Sequence, residues 1–331
     1  MSFVLQHWHP VCYSGELKEN PVEIHLDGQG IVIFRSGDKI AGYINQCPHR
    51  RMKLSGGKVI NGRLECPYHS WSYGTEGDCK KPSGGEANFS DLLFEGKEEY
   101  GLVWIKQANS KAVFPVLQTL GYSYISTAGR TISAPLELVL DNFTEVEHTS
   151  SVHAFLGYDR KDLPNTRIEL ETTETSVRLY NRGKQKQLPS FLSEFLSIKP
   201  GDDFVDDWTT YFSPVYTVYE QYWIDPHTER ERENKLRIFV FFTPIDEKTT
   251  KIFALSYMKY ELLGNFGMNL LLGPALTLLS ELEIELDSQI LKSFASMETS
   301  LKGTKLTKFD KALQQNRNRI EKIYRNNVTT E

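Results

Sequence analysis

Cys47-Pro48-His49-Arg50 and, separated from His49 by sixteen residues, Cys66-Pro67-Tyr68-His69-Ser70-Trp71 decide how the first third of this chain is read. The pattern is C-x-H followed by C-x-x-H, so each short segment offers one thiolate and one imidazole. The surrounding text is strand-like: residues 30–34 and 40–45 before, 63–65 and 72–73 around the second segment, 101–106 after. Gly56-Gly57, Asn61-Gly62 and Gly74 supply turn chemistry between these runs. The two segments are therefore expected to be hairpin tips of a small antiparallel β domain, able to converge on one metal centre.

A Cys₂His₂ donor set suits either a structural zinc or a [2Fe–2S] cluster in which two histidines replace two cysteines on one iron. Zinc sites usually pair like with like, whereas here each loop holds one residue of each kind, which favours two irons with different ligands. A proline follows each cysteine, stiffening the loop and leaving neighbouring N–H groups to aim at sulfur. CPHR and CPYHSW resemble the Rieske signature of the non-haem iron oxygenases. The resemblance implies that Cys47, His49, Cys66 and His69 hold one [2Fe–2S] cluster. Met52 and Tyr68 stand where Rieske subunits of cytochrome bc complexes carry extra disulfide-forming cysteines, and Cys12 and Cys79 lie outside both loops. That resembles the low-potential kind, near the bottom of a range of roughly −150 to +300 mV. Cys79 matches a non-ligand, structural position. One departure is Ser70, where the oxygenases commonly have glycine.

A second constellation reads Asp141-Asn142-Phe143-Thr144-Glu145-Val146-Glu147-His148-Thr149-Ser150-Ser151-Val152-His153. A helix is predicted from Leu136 onward with Pro135 near its start, placing Asn142, Glu145 and His148 on one face at i, i+3, i+6. His153 reaches the same centre if the helix ends or bulges after His148, and Thr149-Ser150-Ser151 is a weak helix former. Two imidazoles and a carboxylate make the facial triad of non-haem iron. The pattern N-x₂-[DE]-x₂-H-x₄-H is similar to the mononuclear iron motif of the same family. The resemblance implies His148 and His153 as iron ligands, Glu145 as the bridge carrying electrons from the Rieske domain of a neighbouring subunit, and Asn142 as a residue close behind the metal. The family's third ligand is an aspartate of a late helix followed by aliphatic residues, which selects Asp287 ahead of Ile290 and Leu291. Glu283 shares that helical face and Glu285 points elsewhere; both stay as alternatives.

A length of 331 residues suits two domains, and 40% hydrophobic with 24% charged residues excludes a disordered chain. The expected class is α+β: an all-β Rieske domain over 1–112, then a catalytic mononuclear-iron domain over 113–331, where an antiparallel sheet wraps the late helix as in the helix-grip fold of this family. Strands are predicted over 166–181, 208–224, 236–244 and 251–260. Residues 262–279 read as a buried helix or a loop over a pocket. Residues 302–325, with eight basic residues against two acidic, read as a C-terminal helix with a solvated face. Of the aromatics, Tyr211, Phe212, Tyr216, Tyr219, Tyr222 and Trp223 are read mostly as sheet core. His7, His9, His25 and His227 are read as structural or surface residues.

The net charge of −5 argues against nucleic acid as a partner. The longest apolar run, 270–279, contains Gly273 and Pro274 and is too short to span a membrane. Without a secretory signal the expected location is cytoplasmic. No dinucleotide fingerprint is present, since Gly28-Gln29-Gly30 lacks the third glycine. Electrons must therefore come from a separate NAD(P)H-dependent reductase, with or without a ferredoxin. The resemblance implies a terminal oxygenase that uses O₂ to hydroxylate or oxidatively demethylate a small aromatic or cyclic molecule. The short chain looks like the homotrimeric monooxygenase and demethylase branch. Arene cis-dihydroxylation is the alternative chemistry, and a non-catalytic Rieske electron carrier the alternative class.

Overall fold

The computed structural model describes residues 2–153, 157–260 and 268–327. The chain divides into two compact units, Met1–Pro115 with Thr243–Glu247, and Val116–Phe242 with Lys248–Glu331. The fold is an N-terminal β domain followed by an antiparallel-sheet domain with few helices.

In the first unit a six-stranded sheet runs in the order His9–Tyr13, Leu102–Gln107, Leu93–Glu99, Lys39–Ile44, Gln29–Ser36, Val22–Leu26. Strand Gln29–Ser36 carries four consecutive buried residues, Ile31 to Phe34, because both of its faces are covered. Ile31 and Ile33 join Phe94, Val103 and Ile105 in one core. Val32 and Phe34 join Tyr43, Leu64, Tyr73 and Cys79 in another. That second core lies against a five-stranded sheet of short strands, Lys58–Ile60, Arg63–Glu65, Ser72–Tyr73, Asp78–Lys80 and Glu86–Asn88.

Only the second cysteine loop is a hairpin tip. Leu64 and Glu65 pair with Tyr73 and Ser72, and residues 66–71 close the turn. The first loop instead leaves strand Lys39–Ile44 of the large sheet and leads to Lys58–Ile60 of the small one. The expectation of two hairpin tips is corrected accordingly: no short-range pattern in the sequence says that the chain changes sheets at this point. The two loops nevertheless have the same backbone design. Cys47 N–H donates to Met52 O, and Arg51 N–H returns to Cys47 O; likewise Cys66 N–H donates to Trp71 O, and Ser70 N–H to Cys66 O. The residue four beyond each cysteine is left-handed, Arg51 at φ 59° and Ser70 at φ 52°. An L side chain at the left-handed position 70 is strained by about 1–2 kcal/mol, so the backbone there favours glycine.

The second unit holds an eight-stranded antiparallel sheet. Its path runs Ser123–Ile132, Thr249–Lys259, Lys235–Asp246, Val215–Asp225, Asp203–Phe212, Ser176–Lys184, Arg167–Thr172, with Arg230–Glu231 added beside Val215–Asp225. Two of the predicted strands are hairpins, broken at 173–175 and at Ser213-Pro214. Among the described residues four α-helices accompany the sheet: α1 (Leu136–Phe143), α2 (Ser190–Leu196), α3 (Met268–Lys292) and α4 (Lys311–Arg319). Residues 268–279 belong to α3, with Pro274 inside it, while 262–267 lie outside the described residues. No helix among the described residues is long and apolar enough to cross a membrane.

Helix α1 is shorter than predicted. Thr144 folds its hydroxyl back onto Leu140 O at 2.7 Å and ends the helix, and a separate 3₁₀ turn, Glu147–Ser150, carries His148. Glu145 and His148 therefore do not share a helical face with Asn142. Helix α4 is not solely a solvated face either. Arg317 pairs with Asp141, Arg325 beyond it pairs with Glu137, and Asn316 donates to Thr144 Oγ1 at 3.1 Å. The C-terminal basic residues thus brace the helix that leads into the histidine segment.

The left-handed backbone at residue 70 sets the order of stability among variants. Ser70→Gly should hold or raise the free energy of unfolding by up to about 1 kcal/mol, and Ser70→Val should lower it by about 1–2 kcal/mol. Chemical denaturation of the three proteins checks this; a Val variant as stable as the Gly variant would show that the turn can reshape.

Candidate metal centres

In the first unit the four loop donors divide by depth. Cys47 and Cys66 are buried, His49 is exposed and His69 half-buried. The two imidazoles lie together, with ring centroids 4.6 Å apart, and Trp71 stacks on His49 at 4.9 Å. Burial pushes the Cys66 thiol up, opposed by the N–H groups of Tyr68 and His69 aimed at its sulfur. Tyr73 places its hydroxyl 3.1 Å from Cys47 Sγ. A thiol in this position is costly to ionise unless a cation or N–H donors meet it. Two sulfurs inside and two imidazoles outside fit a cluster with one thiolate-bound and one imidazole-bound iron. Cys79 is buried in the core and outside the loops, with its thiol pushed up to about 11 by burial. Cys12 is buried in the other core.

In the second unit His148 comes from the 3₁₀ turn, His153 from the segment after it, and Asp287 from α3. His148 Nε2 and His153 Nε2 lie 3.0 Å apart; Asp287 Oδ1 is 3.0 Å from His153 Nε2 and 3.4 Å from His148 Nε2. Each imidazole also has a carboxylate on its far nitrogen. Glu145 Oε1 accepts from His148 Nδ1 at 2.5 Å, and Glu283 meets His153 Nδ1. With both Nδ1 atoms protonated toward carboxylates, a neutral imidazole keeps only a lone pair at Nε2. Two lone pairs and a carboxylate oxygen then face one point, an arrangement that repels itself unless a cation occupies it. The separations match the edges of an octahedral face, about 3.0 Å for metal–ligand bonds of ~2.1 Å. These donors fit a mononuclear metal.

The local charges agree. Burial would push the Asp287 carboxyl up, yet the two imidazoles hold it below the usual range. Burial would pull His153 down, yet Asp287 and Glu283 push it up to about 9, and His148 is raised in the same way by Asp287 and Glu145. Positive charge is favoured at this point, whether as protons or as a metal ion.

The three candidate acids of α3 have separate partners. Asp287 reaches the imidazole Nε2 atoms, Glu283 one turn earlier supports His153, and Glu285 pairs with Arg130 across the helix. Glu145 also accepts the backbone N–H groups of Glu147 and His148 at 2.6 and 3.1 Å, so one carboxylate holds both the turn and the ring. Asn142 is buried on α1, with an Oδ1 that has no hydrogen-bond partner among the described residues.

The triad opens onto a cavity of 210 Å³. Its wall is largely apolar, with Phe143, Phe204, Trp208, Tyr219, Val240 and Ile284 among the contributors. Of the six sheet aromatics singled out in the sequence, only Tyr219 lines it; Phe212 and Trp223 are buried packing residues. The sequence reading missed four polar wall residues, Asp206, Gln221, Ser256 and Ser280. The signal was available: Asp206 breaks the inward alternation Phe204-x-Asp206-x-Trp208 of its strand.

Comparison with known proteins follows the same division. A family model for the Rieske [2Fe–2S] domain matches residues 7–88, and one for the vanillate O-demethylase oxygenase C-terminal domain matches residues 132–268. The chain is similar to methylxanthine N1-demethylase NdmA of Pseudomonas putida, 27% identical over 76% of this chain and 72% of that one. It is also 36% identical to chlorophyllide a oxygenase of Oryza sativa subsp. japonica, over 44% of this chain and 28% of that protein. Among solved structures, dicamba monooxygenase bound to 3,6-dichlorosalicylic acid superposes with a TM-score of 0.76 over 98% of both chains, at 21% identity. An NdmA mutant with caffeine gives 0.74 over 97% of this chain and 91% of that one, also at 21% identity. At those identities the structural likeness establishes the fold.

The donor geometry sets an order among carboxylate variants. Asp287→Ala should lose mononuclear iron while the cluster absorption persists, and Glu283→Gln should keep iron with affinity lowered about 10–100-fold. Metal analysis after titration with a chelator checks both. Iron retained in Asp287→Ala but lost in Glu283→Ala would move the third donor to Glu283.

Proposed function

The chain belongs to the Rieske non-haem iron oxygenases as a terminal oxygenase of the vanillate-demethylase type, and from that premise we propose that it monooxygenates a small aromatic or cyclic substrate, by hydroxylation or oxidative demethylation. The observation that carries this is the triad of His148, His153 and Asp287 opening onto a small apolar cavity. A pure electron carrier has no use for such a site.

In this reading Cys47, His49, Cys66 and His69 hold the cluster of a domain spanning about residues 1–112, and His148, His153 and Asp287 hold Fe(II) in the domain formed by the rest. When bound, the cluster supplies single electrons and the iron supplies O₂ activation. The protein's own residues orient and exclude. Glu145 holds the proton on His148 Nδ1 and Glu283 does so for His153, leaving both Nε2 lone pairs aimed at the metal. The apolar wall keeps water from competing with an organic substrate. A demethylase reading is supported by the alignment with an N-demethylase over most of the chain.

A terminal oxygenase implies a reductase partner, and an NAD(P)H-dependent one, directly or through a ferredoxin, completes the proposal. So does a homotrimer in a cytoplasmic setting. Glu145 would then accept a hydrogen bond from His69 of a neighbouring copy while holding His148, joining one copy's cluster to the next copy's iron. The half-exposed position of His69 at a loop tip and the hold of Glu145 on His148 support this reading. Asn142 would steady the segment behind the iron.

Two outcomes test the proposal. With a surrogate NADH-dependent reductase, a screen of N-methyl and O-methyl aromatics should show substrate-dependent O₂ uptake with formaldehyde release; a cis-diol product without formaldehyde would instead establish dihydroxylation. Glu145→Gln should retain cluster and most iron yet lose at least about tenfold in turnover. Stopped-flow mixing of the pre-reduced variant with O₂ and substrate decides its role: cluster reoxidation at the wild-type rate would remove Glu145 from the electron path.

A further inference from the structure

The cavity above the triad carries a second polar feature, formed by strands Asp203–Phe212 and Val215–Asp225. Asp206 and Gln221 stand directly opposite each other in the sheet register, and both line the cavity. Gln221 Nε2 donates to Asp206 Oδ1 at 3.1 Å. Gln221 is 8% exposed, and its Oε1 is buried with no hydrogen-bond partner among the described residues. An amide oxygen left in this state costs about 1–3 kcal/mol. The carboxylate lies between Phe204 and Trp208 on the inward face of its strand, where an apolar residue would pack at no such cost.

The rest of the wall shows what it can recognise. Tyr219 commits its hydroxyl to Phe143 O, and Thr149 commits its own to Val146 O at 2.8 Å. No lysine or arginine lines the cavity among the described residues. Apart from the triad imidazoles of His148 and His153, the titratable groups facing it, Asp206, Glu145, Glu283 and Asp287, are all acids. Away from the triad and the hydroxyls of Ser256 and Ser280, the wall therefore offers acceptors, with no lysine or arginine to pair with an anion beside Asp206.

We propose that Asp206 and Gln221 form the specificity-determining polar subsite of this oxygenase, and that it selects a neutral or cationic substrate bearing an N–H or O–H donor and rejects aromatic carboxylates. The donor lies against Asp206 and the open Gln221 oxygen, and the rest of the molecule packs on the apolar wall in the cavity it shares with the triad. A site built to receive a donor discriminates strongly against an analogue without one, because its buried acceptors are then left unpaired. A carboxylate would in addition bring negative charge beside Asp206, whose own ionisation burial already resists, pushing its carboxyl up to about 7.

This inference rests on the reading of the cavity as the substrate site of the oxygenase. Its test is binding, measured anaerobically on the holoenzyme by calorimetry so that no turnover is needed. The probes are 4-methoxybenzamide, which has N–H donors; methyl 4-methoxybenzoate, neutral without them; and 4-methoxybenzoate, the anion. The amide should bind at least about tenfold more tightly than the anion and more tightly than the ester. Asp206→Asn should bring the amide-to-anion ratio down at least about fivefold with the cluster spectrum unchanged. Asp206→Leu should abolish the preference while raising thermal stability, which a merely structural Asp206 would not do. Equal or tighter binding of the anion, no binding of the amide, or an unchanged ratio in Asp206→Asn overturns the proposal. Preference without formaldehyde or O₂ uptake would count against the demethylase reading alone, and turnover without preference against the subsite alone.

Discussion

The second unit is organised around a problem of like against like: two imidazole lone pairs and a carboxylate oxygen brought to within 3.0–3.4 Å of one another. Such a set is stable only around positive charge. Much of the surrounding structure serves to hold it together. Thr144 ends α1 so that the chain can turn, Glu145 fastens both the turn and the His148 ring, and α3 presents Glu283 and Asp287 one turn apart to the other side. Helix α4 braces α1 through Arg317 and Asp141, which keeps the entry to the turn in place. A metal ion in the centre would convert a costly arrangement into a stabilising one, so binding and local folding should be linked.

The first unit solves a different problem by a repeated device. Two six-residue loops with the same hydrogen bonds each turn through a left-handed residue, and each presents a buried sulfur and an outward imidazole. Buried sulfur and accessible imidazole suit a centre that must be insulated yet pass electrons at its surface.

How much of this was legible in the sequence depended on range. The cysteine loops and His148 with His153 stand out because close spacing brings their donors together whatever the rest of the chain does. The strands of the antiparallel sheet also follow from local patterning, and the late helix from the resemblance to the family. What could not be read was set by tertiary context. The first cysteine loop crosses between sheets, α1 stops at Thr144, and the basic C-terminal residues pair with acids some 180 residues earlier. The split of three neighbouring acids between Asp287, Glu283 and Glu285 depends on helix phase, which the sequence narrows, and on partners 130 or more residues away, which it does not. Asp206 was visible as a break in alternation, but its meaning required the cavity.

The central claim is that one chain carries two unlike iron centres. The most direct measurement is the iron and acid-labile sulfide content of anaerobically reconstituted protein, taken with the EPR spectrum of its reduced form. The account predicts two irons with two sulfides in a cluster giving the low-average-g Rieske signal, and a third iron that His148→Ala removes without changing that signal. Stoichiometric zinc without sulfide, or a Rieske signal with no third iron in any preparation, would contradict it.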